Sequence, residues 1–242
     1  MSKENKFPQI ETKLEVKNEA GSDKAKLYLS GTIRKAFPWE DEDACISASR
    51  VNKELDKLNN KDVEIRLNSG GGDVFESIEI CNNLKDYEGN IDIVVTSRAG
   101  SGASLITTAG RVSMYINSVQ MVHKATTGTW GNADDFRKTA VDLDQIDKAV
   151  KASYKKKFVG TDAELVDLIA EGSWLTAEEC LALGFCDEIL DGEGDKVENK
   201  LENEVNVKEN LFNKYKKNIE SKVVDNKTTL FNAFKNKTGG NE

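Results

Sequence analysis

A strand–glycine–helix unit in residues 63–84, repeated in outline directly afterwards, most constrains what this chain can fold into. Val63, Ile65 and Leu67 alternate with Glu64 and Arg66, the period-two pattern of a strand with one buried face. The run Asn68-Ser69-Gly70-Gly71-Gly72 follows and reads as a glycine turn. Asp73 and Glu76 then have capping-box spacing, opening a helix that carries Phe75, Ile78, Cys81 and Leu84. Residues 91–96 are β-branched and predict a second strand, after which Ala99-Gly100-Ser101-Gly102-Ala103-Ser104 opens a short helix that runs to Gly110. Strands alternating with helices in this way point to an α/β domain with layered sheets.

The flanks extend this pattern. Residues 10–16 alternate weakly and suit a strand or an arm, and residues 26–31 read as a strand ending in a turn. Phe37-Pro38-Trp39 begins a loop, and residues 44–58 read as a helix from the spacing of Cys45, Ile46, Val51 and Leu55. Residues 112–116 and 119–123 suit short strands. Asn132 is placed to cap a long helix with Phe136, Ala140, Leu143, Ile146, Val150 and Tyr154 on one face, which fits packing on the core or on a neighbouring subunit. A helix is expected over 162–170, another from the Thr176/Glu179 capping box to Gly184, and a last strand over 185–190. From Gly192 the chain is rich in Asn, Lys and Glu. Only two faintly amphipathic pieces remain there, Phe212, Tyr215, Ile219 and Val223, then Leu230, Phe231 and Phe234. This divides the chain into an N-terminal arm (1–25), one folded domain (26–191) and a polar tail expected to be mobile (192–242).

Composition narrows the function classes. The net charge of -8 opposes phosphate binding, so nucleic acid is not expected as the main partner. No apolar run is long enough to span a membrane, and the first residues lack the apolar core of a signal peptide, so no membrane association and a cytoplasmic location are expected. Cys45, Cys81, Cys180 and Cys186 show no metal-ligand spacing and read as reduced structural thiols. No metal and no cofactor are expected.

His123 is the single histidine, and it lies downstream of Ser101 in the small-residue run. A serine hydroxyl is a poor nucleophile at neutral pH and needs an adjacent base, for which histidine has a suitable pKa. A tetrahedral oxyanion needs fixed backbone N–H donors, which glycine turns and helix starts supply. In an α/β sheet the glycine turn, Ser101 and the end of the 119–123 strand can share one edge, where ligands gather in such folds. These are the parts of serine acyl transfer. A lone histidine and a small-residue run also occur as ordinary packing elements.

The segments around residues 69–72, Ser101 and His123 resemble the ClpP-like serine peptidases, over roughly residues 26–190. More narrowly, Thr127-Gly128-Thr129-Trp130-Gly131-Asn132-Ala133-Asp134-Asp135, Ser173-Trp174-Leu175-Thr176-Ala177-Glu178-Glu179 and Gly184-Phe185-Cys186-Asp187 are similar to the head maturation (prohead) proteases of bacteriophages and prophages. The resemblance implies a ClpP/crotonase-like spiral of ββα units. It implies Ser101 as nucleophile, with Ser104 as a competitor, and His123 as base. Gly71 and Gly102 would be the oxyanion donors, and Gly70 and Gly72 would shape the substrate-binding edge. It further implies a polypeptide substrate, capsid or scaffold protein, a homo-oligomeric ring and a separate ATPase partner.

Two positions depart from the family pattern. Gly172 stands where the acid of the triad is expected; Glu171 is the candidate one residue earlier and Asp167 a poorer one, so a Ser–His dyad is open. Lys124-Ala125 stands where the family often has a more apolar pair containing proline. The rival readings are a non-catalytic assembly module on the same fold and an acyl-CoA enzyme of the crotonase group.

Overall fold

The computed structural model describes residues 10–18 and 21–191, with Asn210 and Asn213 beyond them. The two amphipathic tail pieces lie outside the described residues.

Five parallel strands form the spine of one sheet: β2 (Lys24–Ile33), β3 (Asp62–Gly72), β4 (Ile91–Gly100), β5 (Arg111–Tyr115) and β8 (Glu188–Leu190). The weak alternation near the N-terminus is realised as β1 (Lys13–Lys17), antiparallel to β2 at the sheet edge. Parallel register lines up Leu27, Ile65, Ile93 and Val112, and beside them Leu29, Leu67, Val95 and Met114, across four strands. All eight are fully buried. Each such side chain contributes on the order of 1.5–3 kcal/mol through burial. The next residues along each strand form the opposite face, where Tyr28, Arg66 and Ser113 are half-buried. That is why β2, β3 and β5 alternate in sequence, whereas β4, whose Val94 on that face is buried as well, reads as the continuous apolar run Ile93-Val94-Val95.

The buried face is covered by α1 (Ala48–Asp56), α2 (Val74–Asp86) and α3 (Gly102–Ile106). Residues 44–47, expected to be helical, are not part of α1. Ile46 is drawn into a bridge with Ile33, donating to Thr32 O at 2.9 Å and accepting from Arg34 N, and α1 begins only at Ala48. The Asp73/Glu76 box is half realised. Asp73 accepts from the N–H groups of Phe75 and Glu76, whereas the Glu76 carboxylate turns to the Ala48 N–H at 2.8 Å and so caps α1. Among the described residues, complete capping boxes stand at the starts of α4 (Ala133–Lys155), α5 (Asp162–Glu171) and α6 (Ala177–Ala182).

Two further differences position the site. The run Gly70-Gly71-Gly72 is not a turn: β3 continues through it with a bulge, pairing Gly71 with Thr32 and Gly72 with Ile33. Likewise β4 runs on to Gly100. Its first half pairs with β5, while Arg98–Gly100 pairs with β6 (Val119–Val122), which is antiparallel to β7 (Ser173–Thr176). The strand thus leaves one set of neighbours for another just before Ser101. The final strand is shorter than expected, because residues 185–187 form a connection in which the Asp187 carboxylate accepts the Val112 N–H.

Candidate active site

The structure brings Ser101 and His123 together. His123 Nε2 lies 2.7 Å from Ser101 Oγ. Ser101 joins the end of β4 to the start of α3 with φ 52 and ψ -124, a conformation that costs a non-glycine residue about 1–3 kcal/mol. Its neighbours hold it there. Ser101 N–H donates to Met121 O at 2.9 Å, and Ser101 O accepts from Ser104 N–H at 2.9 Å and from Ser104 Oγ at 2.6 Å.

Ser104 is fully buried, and Tyr154 OH lies 2.5 Å from its hydroxyl. The Ser104 Oγ is thus committed to the Ser101 carbonyl and to Tyr154, facing away from solvent, while Ser101 is half-buried and lines the cleft. Tyr154, expected only as part of an apolar stripe, has a hydrogen-bonding role behind the nucleophile.

The two glycines beside Ser101 are required by contact. A Cβ on Gly71 would stand 2.5 Å from Gly100 O and 2.8 Å from Ser101 Cβ; one on Gly102 would stand 2.1 Å from Ser77 Oγ. Gly102 is the first residue of α3, so its N–H is one of those without an acceptor inside the helix. The Gly71 N–H is engaged in this conformation: it donates to Ser69 Oγ at 3.0 Å, and Ser69 Oγ donates to Gly31 O at 2.6 Å. Gly72 lines the cleft, whereas Gly70 lies in the exposed bulge, where an added Cβ would stand 3.9 Å from the Arg98 guanidinium.

His123 follows the last residue of β6, with Val122 opposite Ser173 of β7. Burial pushes the imidazole below its ordinary pKa of 6.5, and the negative charge of Asp147 opposes that push. A depressed value keeps the ring neutral, and so able to accept a proton, at neutral pH. Gly172 caps α5 in the left-handed conformation, φ 73, and a Cβ on it would lie 3.7 Å from His123 Cβ. The expected acid position is therefore beside His123 but carries no side chain. Glu171 is the last residue of α5 and half-buried; Asp167 is on the exposed side of that helix.

Sequence reasoning missed Asp147. Its Oδ1 accepts the Ala125 N–H at 2.8 Å, and Lys124 Nζ is 3.8 Å from its Oδ2. These two partners are the Lys124-Ala125 pair that departs from the family pattern. A proline in place of Ala125 would have no N–H to give. Helical spacing could have found Asp147, since it lies four residues after Leu143, three before Val150 and seven before Tyr154, on the inward stripe of α4.

A cleft of about 390 Å³ opens at Ser101 and His123. Leu105, Leu143, Ile146 and Val150 give it an apolar wall, and Thr126 and Thr127 line the segment after His123. The predicted apolar face of α4 packs only from Leu143 onward; Phe136 and Ala140 are exposed. All four cysteines are free and buried, and burial pushes the Cys186 thiol up to about 11, an inert form. Among the described residues no group of three His, Cys, Asp or Glu side chains is placed to hold a metal ion, and no helix is long and apolar enough to cross a membrane.

Residues 42–193, more than half of the chain, match the family model described as Clp protease. The chain is 27% identical over 141 residues to an ATP-dependent Clp protease proteolytic subunit of Bacteroides fragilis, a match that takes in 54% of this chain and 64% of that protein. It is 30% identical over 145 residues to the protein of the same description from Streptococcus pyogenes, covering 55% of this chain and 70% of the relative. The chain thus spans less than two thirds of the Bacteroides relative's length. The mixed α/β sheet with its helices agrees with the fold expected for this family.

Proposed function

Because the chain belongs to the Clp protease family, we propose that it is a serine peptidase acting through an acyl-enzyme on Ser101. The observation that carries this reading is the 2.7 Å contact between His123 Nε2 and Ser101 Oγ at a strained strand-to-helix junction. In the proposed reaction Nε2 takes the Ser101 proton as Oγ bonds to the peptide carbonyl carbon. The carbonyl π pair moves onto oxygen, and the Gly102 N–H, at the start of α3, stabilises that charge. The Gly71 N–H joins it once it leaves the Ser69 hydroxyl. The C–N bond then breaks, the nitrogen takes the proton from His123, and water releases the acyl group by the same steps. Glu171 is the proposed orienting carboxylate, reaching the gap left by Gly172 from the end of α5. The apolar wall of the cleft suits an apolar side chain next to the scissile bond.

The proposed substrates are capsid or scaffold proteins of an assembling phage head. Support for this comes from the likeness of residues 127–135, 173–179 and 184–187 to head maturation proteases. A homo-oligomeric ring and a separate ATPase belong to the same proposal, the latter supported by the relatives' description as ATP-dependent. The empty acid position at Gly172 favours a second reading, an assembly module that keeps the fold without catalysis. Hydrolysis of fluorogenic peptides with an apolar residue before the scissile bond separates the two. The peptidase reading expects turnover that Ser101→Ala and His123→Ala both abolish; turnover unaffected by either variant, or none in the intact protein with the capsid protein supplied, contradicts it.

A further inference from the structure

Three features meet beside His123. Gly172 stands beside His123, where an added Cβ would lie 3.7 Å from His123 Cβ, and offers no side chain. Ala125, two residues beyond His123, donates its N–H to Asp147 Oδ1 at 2.8 Å. Asp147 lies on the inward stripe of α4 with its side chain only 17% exposed. A carboxylate so far withdrawn from water acts on its surroundings through a low local dielectric. Its field at the imidazole favours the protonated ring.

We propose that Asp147 is a positioning residue of the acyl-transfer site. Held on the Ala125 N–H, its carboxylate stabilises the imidazolium that His123 becomes on taking the Ser101 proton, a task that a side chain at Gly172 would otherwise share. This rests on the reading of Ser101 and His123 as nucleophile and base. No bond forms or breaks at Asp147: the proton passes from Ser101 Oγ to His123 Nε2 and on to the leaving nitrogen. The Ser101 hydroxyl, from the start of α3, is on the ring's Nε2; Lys124 adjoins His123 in sequence, and Glu171 is the last residue of α5, next to Gly172. Asp144, Lys148 and Lys151 line the outer groove that Asp147 shares with Lys124. Lys124 is about half exposed, so solvent weakens its opposing charge more than that of Asp147.

Asp147→Asn in the full chain isolates the charge, because the amide oxygen still accepts the Ala125 N–H. Since His123 is the only histidine, an NMR titration of its ring reads it without ambiguity. Loss of Asp147's charge is expected to move the His123 midpoint to lower pH. The rate of Ser101 labelling by a fluorophosphonate is expected to fall roughly tenfold on its high-pH plateau, as expected when the transition state loses one favourable charge interaction. An unmoved midpoint overturns the proposal even if the rate falls, since a purely structural role would lower the rate alone. Should the Asn variant not fold, Asp147→Glu and Asp147→Gln repeat the comparison, charge against no charge, at equal length. If the unmodified protein is never labelled, the peptidase reading fails, while the NMR midpoint still decides whether Asp147 acts on His123.

Discussion

Replacing Ser101 by glycine and, separately, by alanine measures the strain at the nucleophile. Both variants lose the hydroxyl and its contact with His123, so that loss cancels between them. They differ in backbone freedom. At φ 52 and ψ -124 an alanine keeps the steric cost of a Cβ, about 1–3 kcal/mol, whereas glycine has none. Glycine loses more chain entropy on folding, a penalty of about 0.4–1 kcal/mol. The balance favours Ser101→Gly over Ser101→Ala by about 1 kcal/mol, or roughly 2–4 °C in melting temperature for a domain of this size. The bonds that fix the Ser101 peptide, to Met121 O and from Ser104, use backbone atoms of residue 101 and are present in both variants. Urea titrations and thermal melts of the two proteins in one buffer give the difference directly. An alanine variant as stable as the glycine variant, or more so, would refute the claim that the elbow is strained.

The remaining predictions address the base, the acid and the packing under α3. Burial depresses the His123 pKa, so the rising limb of the labelling rate is expected below pH 6.5; a midpoint at or above that value goes against a buried base. The sign for stability follows from the same depression. The unfolded chain takes the proton first as pH falls, so this group's contribution is complete above 6.5 and is lost as pH drops through that value towards the lower folded one. Glu171→Gln is expected to slow labelling by orders of magnitude if the carboxylate orients His123, and a change below about threefold would leave a Ser–His dyad. Gly102→Ala pushes a Cβ to 2.1 Å from Ser77 Oγ, which donates to Asp73 O at 2.7 Å. Overpacking and the lost bond together are expected to destabilise by about 2–4 kcal/mol in denaturant melts, partly recovered by adding Ser77→Ala; unchanged stability would mean that α2 and α3 are not packed as described.

Much of the framework was legible because it depends on local pattern. The alternation in residues 63–67 located β3 and its buried face, and the Asn132 cap and the Thr176/Glu179 capping box located the starts of α4 and α6. What escaped depends on partners distant in sequence. Three glycines in a row look like a turn, yet Gly71 and Gly72 extend β3 because Thr32 and Ile33 of β2 lie alongside. Glu76 has the spacing to cap its own helix, yet its carboxylate is used by Ala48, 28 residues earlier. Ile46 fits a helical face but is captured by the end of β2. At the site, the Ser101–His123 pair followed from the order of strands meeting at one edge. Asp147 did not: Asp142, Asp144 and Lys148 beside it are charged too, and although helical spacing puts it on the inward stripe of α4, its role depends on the approach of residue 125, 22 positions earlier.

The most direct test of the account is the position of the covalent adduct after reaction of the full chain with a fluorophosphonate, mapped by mass spectrometry of its peptides. The account predicts one modified residue, Ser101, lost in Ser101→Ala and retained in Ser104→Ala. An adduct on Ser104, or no adduct on a folded protein, would contradict it.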